Sequence, residues 1–270
     1  MADHYEVLRE LGLLPLWRLR GAADGTPQTG PRGREAVAVG TASATATDSP
    51  VAPHRVPDQP ADRLQHIAAL EWPQFAADVA ACTACGLCKT RNRAVPGVGD
   101  VHAQWLFVGE APGAEEDAKG EPFVGQAGRL LDNMLAALGM KRGQNVYIAN
   151  VLKCRPPGNR TPTPLETEAC RPYLDRQIAL IGPRLIVALG KSAATTLLNV
   201  DASIASLRGR LHRYRGVPLI VTYHPAYLLR NLPDKAKAWE DLCLARATMR
   251  GMESGRDPGA GSQTATVGPA

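Results

Sequence analysis

Five cysteines have the type and spacing of a metal site. Cys82, Cys85 and Cys88 stand in the segment CTACGLC, and Cys154 and Cys170 follow far downstream. The two-residue turn of a C-x2-C pair brings both sulfurs to one side, so the pair can bind one tetrahedral centre. Two thiolates from distant segments would complete four ligands. The sequence therefore predicts a metal site assembled from both ends of one domain.

The spacing alone does not decide between a zinc ion and an iron–sulfur cluster. Structural zinc sites usually supply their second pair as another close C-x2-C or H-x3-H unit. Here fifteen residues separate Cys154 from Cys170, and no histidine stands at that spacing. Scattered cysteines favour an iron–sulfur cluster, with zinc as the rival. A disulfide is less favoured, because no signal peptide is recognised and a C-x2-C pair in a cytosolic protein is more often a metal or redox site. Cys243 is interpreted as a buried small hydrophobe.

Composition sets wider limits on function. The chain has 270 residues and a formal net charge of +5, enough for one domain with extensions. No run of 18 apolar residues occurs, so no membrane span is expected. The modest basic excess permits a polyanion partner without demonstrating one.

The chain is divided by composition into four segments. Residues 1–20 include an apolar-periodic stretch and are predicted to form a short docking-type helix. Residues 21–62 and 251–270 are rich in small and polar residues, and such segments bury too little apolar area to offset the entropy of ordering. We predict a disordered linker and a disordered tail there, with one folded domain over residues 63–250.

Strands and helices alternate within that domain. The apolar runs WLFVGEA, VYIANVLKC, LIVALG and PLIVTYHP are separated by helical patterns, and a first helix is predicted over residues 63–81 with a bend at Pro73. This pattern indicates an α/β fold with a parallel sheet covered on both faces. Ligands of such sheets bind beyond the carboxyl ends of the strands. Glu110, Asn150 and His224 lie at those ends, so we expect them to share one crevice.

These candidates offer chemistry suited to a planar, polar ligand. The carboxamide of Asn150 has one acceptor and two donors, which match the carbonyl and N–H edge of a pyrimidine, although a turn-capping role is the alternative. Phe123 could stack on such a ligand or belong to the core. His224 could stabilise a developing anion or be merely structural. Leu228 and Leu229 beside Arg230 resemble an apolar wedge with a phosphate-binding cation, as base flipping requires.

Four collinear blocks resemble one enzyme family. Over about residues 78–249, the chain is similar to family 4 uracil-DNA glycosylases, the iron–sulfur branch of that superfamily. The similar segments are CTACGLCKTR, GEAPGAEEDAKGEPFVGQAGRLL, NVLKCRPPGNRTPTPLE and TYHPAYLLRN. The resemblance implies a three-layer α/β/α sandwich with a central parallel four-stranded sheet. It also implies removal of uracil from DNA as the first step of base excision repair, by a monomer in the bacterial cytoplasm at the nucleoid. A non-catalytic DNA-binding module and a redox sensor are the rival hypotheses.

The resemblance also assigns roles to individual residues. It implies that a structural 4Fe-4S cluster is bound by Cys82, Cys85, Cys154 and Cys170, with Cys88 as a spare thiol. It implies that Glu110 and the backbone at Ala111 line the uracil pocket. It also implies that Phe123 stacks on the base and that Asn150 recognises the edge of the base through hydrogen bonds. His224 corresponds to the histidine that acts on the leaving group, and Leu229 and Arg230 are expected to contact DNA. Glu110 and Glu116 are the two candidates for the residue that activates the nucleophilic water. Candidate phosphate contacts are Arg91, Arg93, Lys153, Arg155, Arg160 and Arg230.

The N-terminal segment carries a separate, short resemblance. LRELGLLPLWRLR places Leu8, Leu11, Leu14 and Trp17 at a spacing of three residues, as anchors suited to a groove. It is similar to the N-terminal peptide with which the psi subunit of the bacterial polymerase III clamp loader binds its partner subunits. This similarity implies that residues 4–20 dock on a clamp-loader subunit. A partly helical arm without a partner is the alternative.

Overall fold

The computed structural model describes residues 60–255. The predicted docking helix, nearly all of the predicted linker and most of the tail lie outside these residues. Within them, a six-stranded sheet consists of β1 (Val98–Gly99), β2 (Trp105–Gly109), β3 (Val146–Asn150), β4 (Leu185–Leu189), β5 (Leu211–Tyr214) and β6 (Val217–Thr222). The order across the sheet is β1-β3-β2-β4-β6-β5.

The sheet is mixed, with its antiparallel strands at the edges. β3, β2, β4 and β6 run parallel to one another, whereas β1 is antiparallel to β3 and β5 to β6. The prediction of four strands therefore missed both edges. β1 has only two residues, and β5 has the polar sequence LHRY, so neither shows the apolar run that marks an inner strand. β5 joins β6 through Arg215 and Gly216, which both have positive φ, as a two-residue hairpin turn requires.

Helices cover the sheet and its ends. They are α1 (Pro60–Ala69), α2 (Trp72–Ala81), α3 (Ala114–Lys119), α4 (Gln126–Ala137), α5 (Pro164–Ile181), α6 (Lys191–Leu198), α7 (Ile204–Leu207), α8 (Pro225–Leu228) and α9 (Asp234–Glu253). Short 3-10 turns occupy Gly86–Lys89 and Pro157–Asn159. The helix predicted over residues 63–81 is two helices, because Pro73 lies in the first turn of α2, where its missing N–H is tolerated. None of the helices described is long and apolar enough to cross a membrane.

Two apolar clusters show that both faces of the sheet are covered. Side chains of a strand alternate between faces. Leu106 and Val108 of β2 pack in one cluster with residues of α5 and α6. Trp105 and Phe107 pack in another with residues of α4 and α9. The predicted α/β class with helices on both faces is confirmed, and the central strands end together at one edge of the sheet.

Candidate active site and cysteine cavity

A cavity of about 440 Å³ lies where the central strands end, and we call it the strand-end cavity. The segments that follow β2, β3 and β6 supply most of its wall. The structure brings eight of the predicted residues together there: Glu110, Ala111, Glu116, Phe123, Asn150, Arg160, His224 and Arg230. The parallel register explains this convergence, since Gly109 at the end of β2 pairs with Asn150 at the end of β3.

Asn150 presents an unused hydrogen-bond acceptor to this cavity. The residue is 2% exposed, and its Oδ1 atom has no hydrogen-bond partner among the described residues. The side chain lies over Gly109, where an added Cβ would stand 2.5 Å from Oδ1. Any larger residue at position 109 would therefore displace the amide. Because an unpaired buried acceptor is costly, this oxygen is suited to accept a hydrogen bond from a ligand.

Phe123 forms an aromatic wall beside that amide. Its ring is buried, and an added Cβ on Gly109 would lie 2.6 Å from the ring atom Cζ. The ring also stacks on His224, with centroids 5.5 Å apart and an angle of 28° between the planes. Because Gly109 has no side chain, both Asn150 and Phe123 can approach the end of β2. This arrangement favours the binding of a flat ligand beside the amide and the ring.

His224 is held as a neutral hydrogen-bond donor. It is the N-cap of α8, and its Nδ1 atom accepts a hydrogen bond from the Ala226 N–H at 3.1 Å. An accepting Nδ1 carries no proton, so the proton of the neutral ring lies on Nε2. Burial, with the Arg230 cation as a further cause, lowers the pKa of His224 to about 4. At neutral pH the ring can therefore donate through Nε2 without carrying charge.

The two predicted carboxylates differ in their surroundings. Burial raises the pKa of Glu110, and a hydrogen bond with Ser192 partly opposes this shift. Glu116 instead accepts three main-chain N–H groups, from Gly113 at 3.1 Å, Val124 at 2.9 Å and Gly125 at 3.1 Å. The Glu116 carboxylate therefore organises backbone around the cavity.

The cysteines line a second, smaller cavity, which we call the cysteine cavity. Its wall contains Cys82, Cys85, Cys88, Cys154 and Cys170. Within residues 60–255, no group of three or more Cys, His, Asp or Glu is arranged to hold a metal ion.

Donors around the cysteine cavity suit thiolate ligands. An Arg91 guanidinium nitrogen lies 3.0 Å from the sulfur of Cys154, and the backbone N–H of Lys153 donates to the sulfur of Cys170 at 3.3 Å. Burial raises the pKa of the Cys170 thiol to about 12, so without a metal this thiol would stay protonated. The two hydrogen bonds would stabilise thiolates at Cys154 and Cys170 against this cost of burial.

The segment that builds the strand-end cavity matches a known enzyme family. Residues 96–243 match the uracil DNA glycosylase superfamily. The type-4 uracil-DNA glycosylase of Archaeoglobus fulgidus is 48% identical over 160 residues, which are 56% of this chain and 80% of the relative. Those of Pyrobaculum aerophilum and Thermotoga maritima are 44% and 48% identical, over 60% and 63% of this chain and 87% and 90% of their own lengths. The chain belongs to the type-4 uracil-DNA glycosylases. The predicted family resemblance is thus confirmed.

The predicted wedge of this type-4 glycosylase needs one correction. Leu228 is 1% exposed and packs against Tyr223 and Ala238, so it cannot enter DNA. Leu229 is exposed beside Arg230, and Leu232 is exposed as well. The short helix α8 rotates successive side chains by about 100°, so neighbouring leucines point in different directions. The exposed apolar tip is therefore Leu229 and Leu232.

One of the predicted phosphate contacts, Lys153, is also wrong. Lys153 is buried, and its Nζ atom donates to the Asn150 carbonyl at 2.8 Å and to Gln177 Oε1 at 2.7 Å. Arg91 is engaged with Cys154 at the cysteine cavity. Both side chains lie next to predicted cluster ligands and form hydrogen bonds within the protein.

Sequence reasoning missed three residues of the strand-end cavity. Pro156 and Asn159 line it from the turn that follows β3, beside the predicted Arg160, and Tyr227 lines it from α8. Arg160 pairs with Glu166 through two hydrogen bonds, at 2.9 and 2.6 Å, which holds the pKa of Glu166 near 2. The run PPGNR signals a tight turn, with Gly158 and Asn159 at positive φ, but not which way the turn faces.

Proposed function

We propose that this chain hydrolyses the N-glycosidic bond of uracil in DNA and leaves an abasic site. The observation that carries the proposal is the pairing of a buried, unused amide acceptor on Asn150 with the neutral donor His224 in one cavity. The family supports the same reaction, because the relatives named above are uracil-DNA glycosylases. Release of the base is the first step of base excision repair.

Selection of uracil is assigned to Asn150. Its Oδ1 atom would accept the N3–H of uracil while its Nδ2 group donates to O4. Cytosine presents an acceptor at N3 and an amino donor at C4, so its pattern is inverted and leaves the buried amide unpaired. Phe123 would stack on one face of the base, a contact worth about 1–3 kcal/mol.

Departure of the base is assigned to His224. Cleavage gives an oxocarbenium-like sugar and a uracil anion whose charge develops on O2. The Nε2–H of neutral His224 would donate to that oxygen, and one well-placed donor contributes about 3–4 kcal/mol to the stability of the transition state. A neutral donor suits this role, because it stabilises the anion without protonating the base fully.

Activation of water is assigned to Glu110. The Glu116 carboxylate already accepts three main-chain N–H groups, so it is poorly placed to accept a proton from water. Glu110 lines the same cavity, and its raised pKa gives a more basic carboxylate. A negative Glu110 would also favour the cationic sugar.

The target nucleotide must leave the duplex to reach this cavity. The exposed side chains Leu229 and Leu232 would fill the space left by the flipped base, and Arg230 would contact a neighbouring phosphate. Arg230 also lines the cavity, and this position supports the proposed phosphate contact.

We propose that the cysteine cavity holds a 4Fe-4S cluster, because five cysteines line it. Cys82, Cys85, Cys154 and Cys170 would hold it, with Cys88 as the spare thiol. When bound, the cluster would supply structural stability by tying together the segments before β1, after β3 and within α5. Arg91 and the backbone of Lys153 then stabilise the thiolates by hydrogen bonds.

Release of free uracil tests the proposed reaction directly. The protein is incubated with an oligonucleotide that contains one uracil and, in parallel, with one that contains thymine at that position. We expect free uracil and an alkali-labile abasic site from the first oligonucleotide alone. No uracil release by cluster-loaded protein would refute the proposed function.

The pH dependence of this reaction should reflect a neutral histidine. Because the pKa of His224 is lowered to about 4, the ring stays neutral well below the ordinary value of 6.5. In a Glu110→Gln variant, which has no carboxylate to titrate at that position, we expect the remaining kcat/KM to hold as pH falls through 6.5 and to drop only toward 4. In the unmodified protein, the raised pKa of Glu110 adds a second loss of rate as pH falls, so the two profiles together separate the two groups. A variant whose rate falls by half near 6.5 would contradict the assigned state of His224.

We also propose that residues 4–20, outside the described residues, dock on a clamp-loader subunit. The proposal rests on the leucine and tryptophan spacing of this segment. A carrier protein fused to residues 1–20 is expected to retain clamp-loader subunits in a pull-down, and Trp17→Ala is expected to abolish retention. Equal retention by both fusions, or none by either, would refute the docking role.

A further inference from the structure

Phe123 has a backbone conformation that is costly for a bulky residue. Its φ angle is 55°, in the left-handed region that glycine and asparagine normally occupy. Such a conformation is strained for a residue with a Cβ atom and persists only where the surrounding structure enforces it. Contacts with the surrounding structure, and not its own backbone preference, must therefore hold Phe123 in place.

Two charged side chains hold the loop that contains Phe123. The guanidinium of Arg142 donates to the carbonyl of Pro122 at 2.9 Å and to the carbonyl of Phe123 at 2.8 Å. The Glu116 carboxylate accepts from the N–H groups of Val124 and Gly125, at 2.9 and 3.1 Å. Four consecutive residues are thus fixed through their main-chain groups, two by a cation and two by an anion.

Arg142 is itself oriented by the helix that follows this loop. It lies just beyond α4, and its guanidinium forms an ion pair with Asp132 of α4 at 2.9 Å. The first turn of α4 also lies against the carbonyl of Phe123, because an added Cβ on Gly128 would collide with that group. The helix, the arginine and the loop therefore form one rigid unit.

We infer that Arg142 is a positioning residue for base recognition, acting through the main-chain carbonyls of Pro122 and Phe123. It keeps the Phe123 ring beside Asn150 and His224 before the substrate enters. This inference rests on the proposed function, since the ring is positioned for a flipped base. Arg142 does not line the strand-end cavity, so its effect on catalysis must pass through Phe123.

A double-mutant cycle tests the inference. Arg142→Ala and Phe123→Ala are made singly and together, and kcat/KM for uracil release is measured with melting temperature. We expect Arg142→Ala to lower kcat/KM about tenfold in the native background and less than about twofold in the Phe123→Ala background, since contacting residues show such coupling. Equal losses in both backgrounds, or no loss in either, would overturn the inference.

Two further variants separate positioning from stability. Arg142→Lys keeps the charge but cannot bond two carbonyls in a fixed fork, so only part of the rate should return; full recovery would overturn the bidentate role. Arg176→Ala is the matched control, because Arg176 also bonds a main-chain carbonyl, that of Leu70 at 2.6 Å, and an exposed carboxylate, Glu71. It should lower the melting temperature and leave kcat/KM unchanged.

Hydrogen exchange gives a readout that needs no catalysis. In Arg142→Ala the amides of Val124 and Gly125 are expected to exchange faster, whereas in Arg176→Ala they should exchange as in the unmodified protein. Unchanged exchange in Arg142→Ala would overturn the inference. An unmodified protein that releases no uracil refutes the proposed function instead, and this exchange comparison still decides whether Arg142 holds the loop.

Discussion

Asn150→Asp is expected to lower kcat/KM for uracil release by about 10²–10³, the loss typical of removing a donor that acts on the transition state. Aspartate keeps the shape of the side chain but replaces the amide donor with a second acceptor. A buried carboxylate would also face the departing uracil anion and repel it. The measurement is single-turnover release of uracil, with release of cytosine as a test of discrimination.

Asn159→Asp provides the matched control. Asn159 lines the same cavity, but it is exposed, and its Oδ1 atom accepts from Arg155 at 2.7 Å. A carboxylate there keeps that acceptor and stays in contact with solvent, so the rate should change little. Equal losses from both substitutions would indicate a general effect of added negative charge, and the assignment of Asn150 as the base reader would be wrong.

Loss of a predicted cluster ligand is expected to destabilise the whole domain. The unmodified protein should be brown and contain about four irons per chain. Alanine at Cys82, Cys85, Cys154 or Cys170 should release the iron, because metal binding and folding share one free energy. A loss of several kcal/mol corresponds to a melting temperature lower by about 10 °C or more. Iron content and thermal unfolding measure the two effects.

Cys88 and Cys243 serve as the controls for this prediction. Cys88 lines the cysteine cavity without being an assigned ligand, so Cys88→Ala should keep the iron. Cys243 lies in α9 and does not line that cavity, and Cys243→Ala should also keep it. Iron loss from Cys88→Ala comparable to that from Cys85→Ala would contradict the ligand set. Zinc in anaerobically purified protein would contradict the cluster.

The sequence by itself was sufficient for the framework of the site. The inner strands are continuous apolar runs, because both of their faces are buried, and such runs are visible without a structure. Parallel strands must end at a common edge, so residues that follow different strands are brought together. For this reason Glu110, Asn150 and His224 could be placed in one crevice from their positions alone.

The tertiary structure decided which neighbouring side chains face that crevice. Leu228 and Leu229 are adjacent and chemically alike, yet one is buried and the other exposed, because helix α8 turns them in different directions. The sequence predicts a surface cation at Lys153, but its ammonium group donates hydrogen bonds to Asn150 and Gln177 inside the protein. The role of Arg142 depends on carbonyls about twenty residues earlier in the chain. Local patterns specify the elements, whereas burial and pairing of polar groups depend on partners that only the folded chain brings near.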